Sequence, residues 1–179
     1  MCDKGIIECD PSVMKLEYCV VITNGLQRQI EKKVSELTGE DCFISSPIQG
    51  KYPEDNPAGT NKVLIVTRKD PYTKFGPDKI IYNDVATFSL KELPGCCGVM
   101  VSYHTNIQKR YQGKGLGDFL LDIKERIARD NYYSLLMCTT ISDNAVERHL
   151  LEKHGFISER MFTNKRTNNT VLMYSKILE

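Results

Sequence analysis

Neither sign of charge is in excess: 24 basic against 23 acidic residues leave the 179-residue chain at +1, too little to draw it to nucleic acid or a membrane by a global field. No apolar run approaches bilayer-spanning length, and the start Met1-Cys2-Asp3-Lys4-Gly5 lacks the apolar stretch of a secretory signal. A soluble, cytoplasmic protein is expected. No C-x-x-C pair occurs among the seven cysteines at positions 2, 9, 19, 42, 96, 97 and 138, so neither a disulfide framework nor a metal site is implied. His149 and His154 have a spacing seen in zinc fingers, but no paired cysteines accompany it. The vicinal pair Cys96-Cys97 reads as small buried or strand-entry residues, because free cysteine packs as a small hydrophobe. Repeats and low-complexity tracts are lacking as well.

What is present suits one core. A hydrophobic content of 41% over 179 residues fills one sizeable interior and is short for two, so a single domain over 13–179 is expected behind a polar tail, 1–12. Met14 to Thr23 is rich in β-forming residues and reads as a strand. Asn24 can cap a helix whose stripe is Leu26, Ile30, Val34 and Leu37 and which Gly39 ends. Residues 45–61 gather Ser, Pro, Gly and Asn and read as a long loop, the expected substrate wall, with Lys51, Tyr52, Glu54 and Asp55. Strands are expected at Lys62 to Arg68 and Lys79 to Phe88, around a Pro71 to Pro77 turn region. Further strands are expected at Cys97 to Ile107, Tyr133 to Thr139, Gly155 to Phe162 and Thr170 to Leu178, the last two flanking a polar turn, Asn164 to Asn169.

The most informative stretch is Gln112-Gly113-Lys114-Gly115-Leu116-Gly117. Its glycines permit positive φ and close approach of a ligand to the main chain. Leu116, Leu120, Ile123 and Ile127 follow at helical spacing, so the turn delivers a strand to a helix N-terminus, whose unpaired N–H groups and dipole favour phosphate. A P-loop is excluded, because Gly115 stands where the hydroxyl after Gly113-Lys114 is needed. A dinucleotide fingerprint fits poorly, because the third glycine falls due at Asp118.

The pattern Gln112-x-x-Gly115-x-Gly117 resembles the acyl-CoA loop of the GNAT superfamily of N-acyltransferases. The superfamily's second motif resembles Asn144-x-x-x-x-x-Leu150-x-x-Lys153-x-Gly155-Phe156, about thirty residues downstream and in order. The residues read the same way unaided: Asp143 or Asn144 can cap a helix, Val146, Leu150 and Leu151 line one face, and Gly155 stops it. The resemblance is specific over roughly residues 97–160. It implies an α/β (α+β) fold, with a mixed central sheet of six to seven strands flanked by helices and the usual second helix short or lost within 45–61.

The resemblance also implies roles. The amides of Gln112, Gly113, Gly115, Leu116 and Gly117 would hold the CoA pyrophosphate, with Lys114 and Arg110 adding charge. Thr105, Asn106 and Ile107 would pair with the pantetheine amides, the Ile107 amide facing the thioester carbonyl as oxyanion donor. Asn144 would contact the pantetheine or merely cap its helix. The family's thiolate-protonating tyrosine is replaced by Leu151. For the base, Val101, Tyr103 and Thr105 share one strand face, Ser102 and His104 the other, and a bulge near the glycine loop would exchange them. Tyr103 and His104 therefore both stand as candidates, against packed structural roles. His149 and His154 read as surface.

The function implied is an acetyl-CoA-dependent N-acetyltransferase acting on a primary amine by direct attack in a ternary complex. Two alternatives stand beside it: a CoA-binding GNAT-like protein with little or no transferase activity, and acyl transfer to a macromolecular amine of a protein or nucleic-acid base. The acceptor is unidentified, no metal is implied, and a homodimer is left open. Thiol titration of the denatured, unreduced protein should count all seven cysteines; fewer, with stability lost on reduction, would overturn the cytosolic expectation.

Overall fold

The computed structural model describes residues 22–44, 60–68 and 82–179. Its sheet has seven strands: β1 (Cys42–Ile44), β2 (Thr60–Arg68), β3 (Tyr82–Glu92), β4 (Val99–Ile107), β5 (Leu135–Ile141), β6 (Ile157–Thr163) and β7 (Thr170–Ile177). They lie in the order β1-β2-β3-β4-β5-β7-β6. Every neighbouring pair is antiparallel except β4 with β5, which is parallel. That one parallel pair requires a crossover, and α2 (Leu116–Asp130) supplies it. The other helices are α1 (Asn24–Thr38) and α3 (Ala145–Lys153). The mixed sheet flanked by helices agrees with expectation.

Several boundaries differ. The strand expected at 14–23 lies outside the described residues up to position 21, and Thr23, not Asn24, caps α1 by accepting from the Leu26 N–H. Residues 45–59, with the proposed substrate wall, and the Pro71 to Pro77 turn also lie outside the described residues, as does the tail at 1–12. Strand β2 already begins at Thr60, inside the expected loop, and β3 runs on to Glu92. The three-residue β1 escaped notice because so short a segment carries no alternation to read.

The core forms where α1 and α2 pack on the sheet. From α1 come Leu26, Ile30 and Val34; from α2, Leu116, Leu120 and Ile127; from the strands, Phe88, Leu90, Met100 and Leu136. Leu151 and Phe156 join from the α3 region. Val146, expected on the apolar face of α3, is 82% exposed: it falls in the first turn, on the side away from Leu151. Cys96 and Cys97 are exposed in the turn entering β4, not buried.

Gly117 owes its identity to packing and not to its φ, since it is already helical and a Cβ there would stand 3.2 Å from Leu150 Cδ2 and 3.9 Å from Ile107 Cδ1. Gly117→Val should therefore destabilise the fold by about 1–3 kcal/mol through overpacking, read as a lower urea midpoint. An unchanged midpoint would show that α3 can yield.

Candidate functional site

The parallel ladder between β4 and β5 runs from Val99↔Leu135 to Ser102↔Cys138 and stops. Both strands continue, to Ile107 and Ile141, and each keeps its other neighbour: β4 stays paired with β3 as far as Ala86↔Ile107, β5 with β7 as far as Ile141↔Val171. In mid-sheet, Tyr103–Ile107 and Thr139–Ile141 thus present edges that no described strand occupies. An extended chain carrying amides could pair there.

A bulge shapes the β4 side. Ser89 pairs with Tyr103 and Thr87 with Asn106, so His104 and Thr105 together oppose Phe88, and His104 takes φ +51°. One extra residue exchanges the faces beyond it. Thr105 consequently shares the Ser102 face, where it meets Lys124 of α2. His104 is exposed at the bulge, its ring 4.8 Å from that of Tyr103 in an edge arrangement. Past the bulge, Gln108 N–H donates to Val85 in β3 at 3.0 Å. Backbone groups alternate in direction along a strand, so the Ile107 N–H and carbonyl point away from β3, toward the gap. That carbonyl accepts from Gln112 Nε2 at 2.9 Å.

The glycine turn sits at the far end of β4, after a 3₁₀ turn at Lys109–Tyr111. Gly113 and Gly115 hold φ of +74° and +80°, a region open to glycine and costly for most other residues. The first α-helical bond of α2 runs from Phe119 N–H to the Gly115 carbonyl, so the amides of Leu116, Gly117 and Asp118 precede the ladder and remain for an anion. The Gln112 amide is used differently, donating to Lys109 at 3.3 Å. Lys114 donates to the Thr38 carbonyl at 3.2 Å, closing the C-terminus of α1, and the Arg110 guanidinium lies over the Tyr111 ring at 4.5 Å. Both cations are thus held beside the turn.

At the start of α3, Asn144 forms the cap: its Oδ1 accepts from the Glu147 N–H at 3.2 Å and its Nδ2 donates to Glu147 Oε2 at 2.8 Å. The same carboxylate accepts from Thr140 at 2.6 Å. This cap is one of the two roles read for Asn144, and it leaves one Nδ2 proton over. His149 is exposed as expected, but His154 is not a surface residue: its ring is bracketed by Asp118 at 3.2 Å and Asp122 at 3.3 Å, with 11% of the side chain exposed. Lys153 also pairs with Asp118, and the Lys153 and His154 hydrogen bonds hold the Asp118 carboxyl below its usual range. The hollow of about 350 Å³ lined by these four side chains includes none of the gap residues.

Lys124 was missed. It lies one helical step beyond Leu120, on the stripe that carries the core, and is 5% exposed. Its Nζ donates to Thr105 Oγ1 at 2.6 Å and stands 5.6 Å from the Phe88 ring centroid. Burial pushes its pKa down from 10.5 to about 8; the nearby Cys138 and Glu147 act in the opposite sense but do not offset this. Burial also drives the Cys138 thiol up to about 12, leaving it neutral. The signal was present in the sequence, as a lysine where helical period requires an apolar residue.

Residues 85–156, spanning both motifs, match the model of the acetyltransferase (GNAT) family. Among solved structures the chain is similar to the IAA acetyltransferase from Bacillus cereus ATCC 14579, at 17% identity and TM-score 0.52 over 65% of this chain and 78% of that one. It is similar also to nourseothricin acetyltransferase, at 15% identity and TM-score 0.53 over 72% and 69% of the two chains. A GNAT-family protein from Desulfovibrio desulfuricans gives 18% identity and TM-score 0.51 over 66% and 70%. At such identities it is the fold that is shared. No curated protein matches the chain in sequence. The fold is shared with these acetyltransferases, and residues 85–156, less than half of the chain, are similar to the acetyltransferase (GNAT) family domain.

Replacing Lys124 with methionine should stabilise the protein at neutral pH. Below pH about 8 folded and unfolded chains both carry the charge, and the folded one bears the whole burial cost. Between about 8 and 10.5 the folded chain sheds the proton first. The unfolded state then binds more protons, so wild-type stability rises with pH through that window and levels off above it. The difference is on the order of 3 kcal/mol at neutral pH and should shrink as pH approaches 10.5, as followed by urea denaturation of both proteins. A Lys124→Met protein less stable at pH about 7 would refute the burial cost.

Proposed function

We propose that the protein is an N-acetyltransferase that moves the acetyl group of acetyl-CoA to a primary amine by direct attack in a ternary complex. The observation that carries this reading is the end of the β4–β5 ladder at Ser102↔Cys138, beside a turn whose amides suit a pyrophosphate. Pantetheine would lie along the freed β4 edge at Thr105, Asn106 and Ile107, its phosphates on Gly113 to Gly117. The Ile107 N–H, directed into the gap, would stabilise the oxyanion. The amine nitrogen bonds to the thioester carbon, the C–S bond then breaks with its electron pair on sulfur, and the amine proton leaves by Tyr103, His104 or water. The acetyltransferase domain within a single unit over 13–179 and a cytoplasmic location belong to the same reading.

The second reading, a CoA-binding protein with little transferase activity, rests on Leu151. It is 3% exposed and part of the core, so the thiolate receives no proton from that position.

Calorimetry with acetyl-CoA tests the loop, and thiol release over a panel of amines tests the transfer. Gly115→Val, which places a β-branched side chain at φ +80°, should abolish acetyl-CoA binding; unchanged affinity in a folded variant would sink the anion-loop reading. Binding without turnover of any amine would decide for the second reading.

A further inference from the structure

Lys124 is a cation with a stability cost, placed where the sheet opens. Resting on the acetyltransferase reading, we propose that the Thr105 hydroxyl is a catalytic hydrogen-bond donor to the thioester carbonyl oxygen and that the buried Lys124 ammonium is the positioning residue that turns its proton into the gap.

The hydrogen-bond inventory carries the inference. An ammonium has three donors and no acceptor, whereas a hydroxyl has one donor and two acceptor lone pairs. In the 2.6 Å contact Thr105 Oγ1 must therefore accept. Its own proton cannot point back at Lys124 and is left for something on the other side. Lys124 is buried and Thr105 exposed, three residues beyond the last β4–β5 pair at Ser102↔Cys138, so the proton is free to turn toward the opening. Accepting from a cation also polarises the hydroxyl, making it a better donor to an oxygen on which charge develops. The bulge at His104 and Thr105 is what turns Thr105 to this face; a regular strand would place it with Tyr103.

The step balances without a new reagent. As the amine nitrogen bonds to the carbonyl carbon, the C=O pair moves to oxygen, where the Thr105 hydroxyl and the Ile107 N–H meet it. The pair returns when the C–S bond breaks, and the thiolate leaves with that bond's electrons. Thr105 keeps its proton throughout. Once Lys124 is neutral its amine can accept from Thr105, the hydroxyl turns inward, and the donor is lost. The groups facing Lys124 from other elements are Thr105 on β4, the Phe88 ring on β3, Cys138 on β5 and Glu147 on α3. With the Cys138 thiol neutral and Glu147 held in the α3 cap, Lys124 is the group that titrates there near pH 8.

The probes are acetyl-CoA and S-ethyl-CoA, which lacks the carbonyl oxygen. Calorimetry at pH about 6.5 and about 9.5 brackets the Lys124 transition at about 8. Wild type should prefer acetyl-CoA, the preference falling roughly 3- to 10-fold at the higher pH, the range of one hydrogen bond; the remainder belongs to the Ile107 amide. Thr105→Val and Lys124→Met should show the reduced preference at both pH values, and Thr105→Ser the wild-type pattern. A wild-type preference unmoved by pH, or retained in Thr105→Val, overturns the inference while both ligands still bind. Failure of both to bind wild type overturns the acetyl-CoA reading and this one with it. With an acceptor in hand, turnover should show an alkaline loss near pH 8 in wild type and none in Lys124→Met.

Discussion

The rest of the structure depends on a ladder that ends early. Backbone donors and acceptors inside a sheet are normally all paired, and here the pairing of β4 and β5 stops at Ser102↔Cys138 while both strands run on. The outer ladders continue alongside, so the opening is a gap between firm walls and not frayed ends. The walls hold because β3 and β7 follow β4 and β5 to their last residues. The glycine turn and α2 can then stand at the mouth, beside the unpaired edge.

Much of this was readable in the residues, and what was not has physical causes. The glycine turn and the Asn144 to Phe156 segment announced themselves because their demands are local: positive φ at Gly113 and Gly115, a cap at Asn144, a left-handed stop at Gly155. Strands β2 to β7 likewise followed from β-forming residues. The bulge at His104 and Thr105 was foreseen only as a condition, because period-two alternation says which residues share a face but not where one extra residue resets the count. His154 was misjudged because its partners, Asp118 and Asp122, come from another helix. Asn144 was left between cap and ligand; it turned out to spend both ends of its amide on Glu147, a pairing visible in the i, i+3 spacing.

Lys124 and Glu125 show a different limit. These two adjacent charged residues are each 5% exposed. Adjacent positions lie about 100° apart around a helix, so the two side chains leave in different directions. Lys124 turns to Thr105 under the sheet opening, and Glu125 to Lys176 of β7 at 2.7 Å. Glu125 leaves Oε1 without a hydrogen bond among the described residues, while Oε2 also accepts from Arg129. One is a cation with little counter-charge, the other an anion flanked by cations. The break in the apolar period marks Lys124 in the sequence, but which group each side chain would meet was settled by tertiary neighbours.

The strand order has a kinetic meaning as well. Because β7 inserts between β5 and β6, the β5 edge finds its partner only through pairs as distant as Leu135↔Ile177, and β4 meets β5 only after α2 has crossed over. Such contacts bring no reward until long loops have been closed. The half of the sheet that forms the gap is therefore the half whose assembly is slowest to nucleate, while the β2–β3 and β3–β4 meander can form from near neighbours.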